Sequence, residues 1–303
     1  DPALTTLRDN LVAGQKVAIA TVTSAADGVA EVFFSIAGAL NSEADHAYTL
    51  LYSRLASHLS PAHIEALLMS ANKLEQLQQY DLATEVYRAV PRNSPVFYAA
   101  ELGRAEALRK GGNHERAIEV LRTMTRDFPD MTAVYVSLGD TLRQNGKTTE
   151  ANEAYTKALA QYSPTNPARW IVHYTRAVTF HQLDQWTEAE EDFRAALEIN
   201  PDQPQVLNYL GYSLVERGEK LEEALDMIET AVAAQPQNGA IVDSLGWVLF
   251  QMGDYDAAVV HLENAAALEA VDPVVNDHLG DAYWAVGRET EARFQWQRAL
   301  SLL

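Results

Sequence analysis

The sequence predicts an all-α protein built from repeated pairs of helices, and two features support this. Only 15 glycines and 11 prolines occur in 303 residues, too few for the tight turns of an all-β fold, whereas the abundant Ala, Leu, Glu and Gln favour helices. The second feature is a fixed spacing. Leu245-Gly246 recurs 34 residues later as Leu279-Gly280 and 35 residues earlier as Leu210-Gly211, and such a period indicates a helical repeat protein.

Two small residues recur in each repeat, twelve positions apart. The first position holds Ala37, Ala71, Ala105, Gly139, Ala177, Gly211, Gly246 and Gly280. The second holds Thr49, Ala83, Ala117, Ala151, Ala189, Ala224 (one residue late), Ala258 and Ala292. Because glycine inside a helix costs about 1 kcal/mol relative to alanine, the pattern predicts that two helices cross where neither can carry a larger side chain.

Turn residues divide each repeat into two helices. A glycine follows the first small residue by seven positions, and a proline ends most repeats. These glycines are Gly112, Gly146, Gly218, Gly253 and Gly287, and the prolines are Pro61, Pro95, Pro129, Pro201 and Pro236. Residues 243–259 are therefore predicted to form a helix, a turn and a second helix. The alternative, a phosphate-binding loop, would need its glycines closer together after a strand.

This order of Leu-Gly, alanine, aromatic, alanine and proline positions resembles the tetratricopeptide repeat. The resemblance implies a right-handed α-solenoid of about eight helix pairs over residues 30–303, in which each pair buries its apolar stripe against its neighbours. The units begin near residues 30, 64, 98, 132, 170, 204, 239 and 273. The first unit is degenerate, because Thr49 and Ser53 replace the usual alanine and aromatic residue. The fourth unit carries an inserted loop at residues 163–167, and the sixth carries one extra residue near 218–221.

Residues 1–29 lie outside the period. Asp1-Pro2, followed by three regularly spaced leucines, predicts an N-terminal amphipathic helix. The β-branched residues 16–23 and the turn-forming residues 24–28 predict an extended linker, packed against the repeats rather than donated as a strand to a partner. The absence of an initial methionine leaves open the removal of a signal peptide, a lipid anchor or a preceding domain.

Candidate chemical sites fail their spacing requirements. His58 and His63 lie five positions apart across a proline, which does not place both imidazoles on one helix face. Asp277, His278 and Asp281 come nearest to a ligand cluster, but we interpret them as part of a solvated polar surface rather than a metal site. The chain has no cysteine, so thiolate chemistry and disulfides are excluded. We therefore expect no catalytic residue, no metal and no cofactor, and a protein that is not an enzyme.

The charge argues against nucleic acid as a partner. The formal net charge is −19, and a polyanion would not gain the counterion release that drives such binding. The charge is also uneven: residues 184–303 hold 23 acidic and 6 basic side chains, whereas residues 101–183 hold 9 acidic and 11 basic ones. No apolar run approaches the roughly 20 residues that a transmembrane helix needs.

The resemblance also implies a binding surface, because the first helix of each tetratricopeptide unit lines the concave face. Carried over to the last three units, the inward positions give a peptide-binding groove that we name the groove surface. It consists of Tyr209, Tyr212, Asp243, Trp247, Phe250, Asp277, Asp281 and Trp284, with Asn208 beside them. Such a surface fits protein or peptide partners with basic and apolar side chains. The competing interpretation is that these aromatic residues pack between repeats as core. The full set of lysines, arginine and asparagines that carboxylate-clamp repeats carry is missing here, which argues against a chaperone-tail adaptor.

The last repeats resemble one group of tetratricopeptide proteins more closely, the exported or outer-membrane-associated (lipo)proteins of Gram-negative bacteria. The residues that carry this likeness are 208–212, 218–221, 243–247 and 276–281. Some of these relatives are adaptors that bring clients to a carboxy-terminal processing protease, so the resemblance implies a periplasmic or outer-membrane-associated adaptor. The alternatives are a cytoplasmic assembly scaffold, the non-catalytic repeat region of a larger enzyme, and a scaffold that forms homo-oligomers through its ends, where residues 294–303 lack a polar capping helix.

Overall fold

The computed structural model describes residues 8–14, 22–41 and 46–303, and every regular element among them is helical. Besides a short helical segment at residues 8–12, the described residues form sixteen helices. They are α1 (Ala25–Asn41), α2 (His46–Leu59), α3 (Ile64–Gln76), α4 (Tyr80–Arg88), α5 (Phe97–Lys110), α6 (His114–Asp127), α7 (Thr132–Gln144), α8 (Thr148–Gln161), α9 (Arg169–Gln182), α10 (Trp186–Ile199), α11 (Pro204–Glu216), α12 (Leu221–Ala234), α13 (Gly239–Gln251), α14 (Tyr255–Leu268), α15 (Pro273–Ala285) and α16 (Glu289–Leu302). The predicted all-α class is confirmed.

Consecutive helices pack in pairs, from α1 with α2 to α15 with α16. The first helices of the second to eighth pairs begin at Ile64, Phe97, Thr132, Arg169, Pro204, Gly239 and Pro273, each within one residue of the start expected from the period. The chain divides into two compact units, an N-terminal half (Asp1–Gln161) and a C-terminal half (Tyr162–Leu303). Within each half, the second helix of one pair also packs on the first helix of the next.

The small residues mark the place where the two helices of a pair cross. A Cβ atom at Gly246 would lie 2.5 Å from Cγ of Leu262 and 3.2 Å from the backbone nitrogen of the same residue. Similar close approaches occur at Gly139 against Tyr155, Gly211 against Ile228 and Gly280 against Trp296. The recurrent alanines are fully buried: Ala83, Ala117, Ala151, Ala189, Ala224, Ala258 and Ala292. The predicted close crossing is confirmed, and it explains why Gly246 is tolerated inside α13.

A left-handed residue ends the first helix of most pairs. The five turn glycines have φ between 65° and 87°, namely Gly112, Gly146, Gly218, Gly253 and Gly287. In the second and fifth repeats, which lack a glycine at this place, Gln78 and Asp184 adopt the same conformation with φ of 58° and 57°. The packing of the two helices therefore requires a left-handed residue at this turn, even where the residue is not glycine and the conformation is unfavourable for it.

Helix α1 begins at Ala25, so the extended linker predicted from the sequence is wrong for residues 25–28. The Oγ of Ser24 accepts a hydrogen bond from the backbone N–H of Asp27 at 3.1 Å. Asp27 in turn accepts hydrogen bonds from the hydroxyl and the backbone N–H of Thr23 at 2.7 and 3.2 Å. These bonds, with those from neighbouring serine hydroxyls, lower the pKa of Asp27. The segment that suggested a loop is a helix N-cap. Residues 16–21 of the predicted linker and residues 1–7 of the predicted N-terminal helix lie outside the described residues.

In the C-terminal half the first helices of successive pairs lie side by side, α11 against α13 and α13 against α15. Apolar side chains of these helices and of their partners form the core beneath them, including Leu210, Leu214, Ile228, Leu245 and Val248. Because the core takes one face of each first helix, the opposite faces of α11, α13 and α15 together provide one surface.

Candidate functional site

A cleft of about 400 Å³ opens on the surface shared by α11, α13 and the start of α15. The residues of the predicted groove that line it are Asn208, Tyr209, Tyr212 and Asp243. Sequence reasoning did not identify the others, which are His181, Ser213, Ala240, Ser244, Asp272, Val274 and Val275. His181 occupies the twelfth position of the fifth repeat, and the twelfth position is one of those that face inward in tetratricopeptide repeats. Applying the same positions to the fifth repeat, one repeat before the last three, would have identified it.

Two half-buried tyrosines form the aromatic part of the cleft. The Tyr209 ring lies 5.0 Å from the ring of Phe193, and its hydroxyl lies 3.2 Å from Nδ1 of His181. Burial, with the nearby carboxylates of Glu216 and Asp243, raises the pKa of Tyr212. Tyr212 therefore remains a neutral phenol at physiological pH.

The acidic part of the cleft is Asp243, which is only 5% exposed. Its Oδ2 lies 2.9 Å from Nδ1 of His278. Among the described residues, neither Oδ1 of Asp243 nor Oδ1 of Asn208 has a hydrogen-bond partner, although both atoms are buried. Buried polar atoms are normally paired, and here two of the residues that line one cleft each carry an unpaired acceptor.

Trp247 supports the acidic residue and does not line the cleft. Its ring stacks on His278 at 4.0 Å with an interplanar angle of 11°, and on Phe250 at 5.0 Å and 6°. Its Nε1 donates a hydrogen bond to Oε1 of Glu216 at 2.8 Å. The stack holds His278 in place beside Asp243, which is the packing role that the competing interpretation of the aromatic residues expected.

The remaining residues of the groove surface lie along α15 outside the cleft. Asp277 is exposed, and Trp284 is 47% exposed. Asp281 accepts a hydrogen bond from Nε1 of Trp296 at 3.0 Å. Burial raises the pKa of Asp281 and Asp277 adds to this rise, against the lowering effect of the Trp296 hydrogen bond. The structure thus divides the predicted surface into a cleft, an aromatic stack and an open face of α15.

The cluster of Asp277, His278 and Asp281 does not assemble around one point, because His278 is directed to Asp243. Within residues 8–14, 22–41 and 46–303, no group of three or more His, Cys, Asp or Glu side chains is placed to hold a metal ion. In the same part of the chain, no helix combines the length and the apolar character needed to cross a bilayer.

Comparison with known proteins shows which sequences resemble this one. The profile of the tetratricopeptide repeat family matches residues 68–132, 136–204, 208–273 and 244–301. A TPR repeat-containing protein of Pseudomonas aeruginosa is 31% identical over 132 residues, which are 44% of this chain and 22% of that protein. A BBSome complex member of Bos taurus is 28% identical over 120 residues, 39% of this chain and 22% of that protein. The chain therefore spans 22% of the length of each of these relatives.

Solved structures share the fold at lower identity. A tetratricopeptide repeat protein of Parabacteroides merdae has a TM-score of 0.62 at 18% identity, over 79% of this chain and 93% of that chain. The Cut9–Hcn1 hetero-tetramer of the APC/C has a TM-score of 0.62 at 14% identity, over 93% of this chain and 54% of that chain. At these identities the likeness extends to the fold alone.

Proposed function

Because the chain belongs to the tetratricopeptide repeat family, we propose that it is a non-catalytic scaffold that binds protein or peptide segments on the groove surface of its C-terminal half. Repeats of this family are in general a scaffold for protein interactions. The observation that carries the specific proposal is the cleft beside the open face of α15, where aromatic and acidic side chains lie together. The described residues that line the cleft include no lysine and no arginine.

The partner segment carries basic and apolar side chains. Residues 184–303 have 17 more acidic than basic side chains (23 against 6), so the C-terminal half attracts cations at long range. The rings of Tyr209, Tyr212 and Trp284 offer apolar contact and cation–π attraction at short range. Because much of this surface is open to water, binding weakens as salt is added.

The test compares an aromatic residue of the groove surface with an aromatic residue outside it. Trp284 is 47% exposed and Phe294 is 61% exposed, so either can be replaced by alanine without opening the core. Partner capture by crosslinking and pull-down is expected to fall in Trp284→Ala, to fall further in the Trp247→Ala, Trp284→Ala double variant, and to remain unchanged in Phe294→Ala. The same partner set from the double variant and the wild type would remove the groove surface from the function.

We further propose that the protein acts in the periplasm or at the outer membrane, as an adaptor. The support is the likeness of residues 208–212, 218–221, 243–247 and 276–281 to the repeats of exported bacterial proteins. Crosslinking is therefore done in intact cells, and the captured proteins are sorted by compartment. Envelope proteins are the expected partners, and recovery of cytoplasmic proteins alone would overturn the proposed location in favour of a cytoplasmic scaffold.

A further inference from the structure

The geometry of the cleft leads us to propose that it is a specificity pocket for one arginine side chain of the partner segment. This inference rests on the proposed function, because it assigns the basic residue of the partner to a defined place. The pocket is the cleft described above, and the side chains in its lining that matter most here are Asn208, Tyr209, Tyr212, Ala240, Asp243 and Val274. Trp284 does not line it, so the pocket and Trp284 are tested separately.

The first argument is the hydrogen-bonding capacity of the pocket. Oδ1 of Asp243 and Oδ1 of Asn208 are buried acceptors without a partner among the described residues. Oδ2 of Asp243 is already held by His278 at 2.9 Å, so the carboxylate is fixed in orientation with one oxygen unused. Leaving such acceptors unpaired is costly, and a ligand group that reaches either of them from the cleft must donate a hydrogen bond. Guanidinium has five donors and no acceptor.

The second argument is charge. Asp243 and Asp272 line the cleft, and the basic side chains near them are histidines only, namely His181 in the lining and His278 on Asp243, with no lysine or arginine among the described lining residues. Asp272 caps α15, where its Oδ1 accepts hydrogen bonds from the backbone N–H groups of Val274 and Val275. Asp243 is 5% exposed, and the attraction between a buried carboxylate and an entering cation is little screened by solvent. The pocket therefore selects a cation over a neutral donor of the same shape.

The third argument is the shape and polarity of the walls. Val274, which is 50% exposed, and Ala240 give an apolar side along which a methylene stem can lie. The half-buried rings of Tyr209 and Tyr212 stand beside them. A planar, weakly hydrated guanidinium stacks on aromatic rings, whereas an ammonium is a compact and strongly hydrated charge. Arginine therefore binds here in preference to lysine.

The test uses the full chain and three acetylated, amidated probe peptides of the form Ala-Leu-X-Leu-Ala. X is arginine, citrulline, which has nearly the same shape without the charge, or lysine. Titration followed by NMR of the tryptophan indole signals and by calorimetry is expected to show at least ten-fold tighter binding of the arginine peptide than of the citrulline peptide, with lysine in between. Equal affinity for arginine and citrulline would overturn the pocket, and a preference for lysine would overturn the role of the aromatic walls.

Two variants locate the binding. Asp243→Asn keeps the side-chain size and is expected to weaken the arginine peptide by ten-fold or more. Ala240→Leu adds bulk at an exposed position that lines the cleft and changes neither Asp243 nor His278, and it is expected to abolish binding even if Asp243→Asn proves unstable. The matched control is Glu229→Gln, which removes one charge from the exposed side of α12 and leaves the affinity unchanged. Wild-type affinity in Ala240→Leu would place the arginine elsewhere.

The failure of this inference is distinguishable from the failure of the proposed function. Neither Trp247 nor Trp284 lines the cleft. If partner capture depends on these tryptophans but the protein does not prefer the arginine peptide, only the arginine pocket is overturned. If the arginine peptide binds through Asp243 but partner capture is unchanged in the tryptophan variants and in Ala240→Leu, the proposed function is overturned. The cleft is then an arginine-binding site that does not take part in partner capture.

Discussion

Replacing Gly246 by alanine tests whether the crossing of α13 and α14 is set by the missing side chain. The added Cβ would lie 2.5 Å from Cγ, 2.8 Å from Cδ2 and 3.2 Å from the backbone nitrogen of Leu262. Leu262 is fully buried, so it has no free space into which it can move. Overpacking of this kind costs about 1–3 kcal/mol, and we take the upper part of that range because the blocking atoms include the branch carbon and the backbone nitrogen of Leu262, which a rotation of the side-chain end does not remove. The better helix propensity of alanine offsets about 1 kcal/mol, so the free energy of unfolding falls by about 1–2 kcal/mol.

Gly38 is the matched control for this substitution. It is also a helical glycine, but it is exposed and a Cβ atom there would have no neighbour within 4 Å. Gly38→Ala is therefore expected to stabilise its half by about 0.5–1 kcal/mol. The assay is urea unfolding by circular dichroism, with tryptophan fluorescence as the local probe for Gly246→Ala, since all five tryptophans lie in the C-terminal half. Repeat arrays need not unfold in one step, so midpoints are compared. A Gly246→Ala midpoint equal to or above that of the wild type would refute the steric argument.

Two further predictions concern stability. The buried carboxylate of Asp192 lies 2.6 Å from Nε of Arg176 and 2.8 Å from Nδ1 of His173. Burial raises the pKa of Asp192, but the hydrogen bonds from these two side chains lower it by more, so the pKa lies below its ordinary value. Its stabilising contribution is thus complete above about pH 4, the ordinary value for aspartate, and is lost as the pH falls through the lowered pKa. Asp192→Asn should cost about 3–5 kcal/mol at neutral pH and flatten the acid side of the stability profile; an unchanged profile would contradict this. Gln78→Gly should raise the unfolding midpoint by relieving a left-handed conformation worth about 1–2 kcal/mol, and Asp184→Gly should raise it less, because aspartate tolerates that region. Lower midpoints would show that φ is not the limiting factor.

The sequence by itself determined the repeat fold. The period of Leu245-Gly246, the buried alanines and the turn glycines each reflect a local requirement, namely a helix crossing or a left-handed residue, and such requirements leave a mark at fixed spacing. The same reasoning failed at the start of α1, because Ser24 and Asp27 occur equally in turns and in helix N-caps. Only the hydrogen bonds that they make distinguish the two.

Only the tertiary structure decided how the groove surface is organised. The period placed Asp243 and Trp247 on the same face, but it did not reveal that His278, 35 residues after Asp243, pairs with the carboxylate and stacks on the indole. Nor did it reveal that Val274 and His181 border the same cleft. A repeat period fixes where each Cα lies relative to its neighbours, whereas a cleft and its unpaired acceptors depend on side-chain rotamers and on contacts between repeats, which packing alone selects.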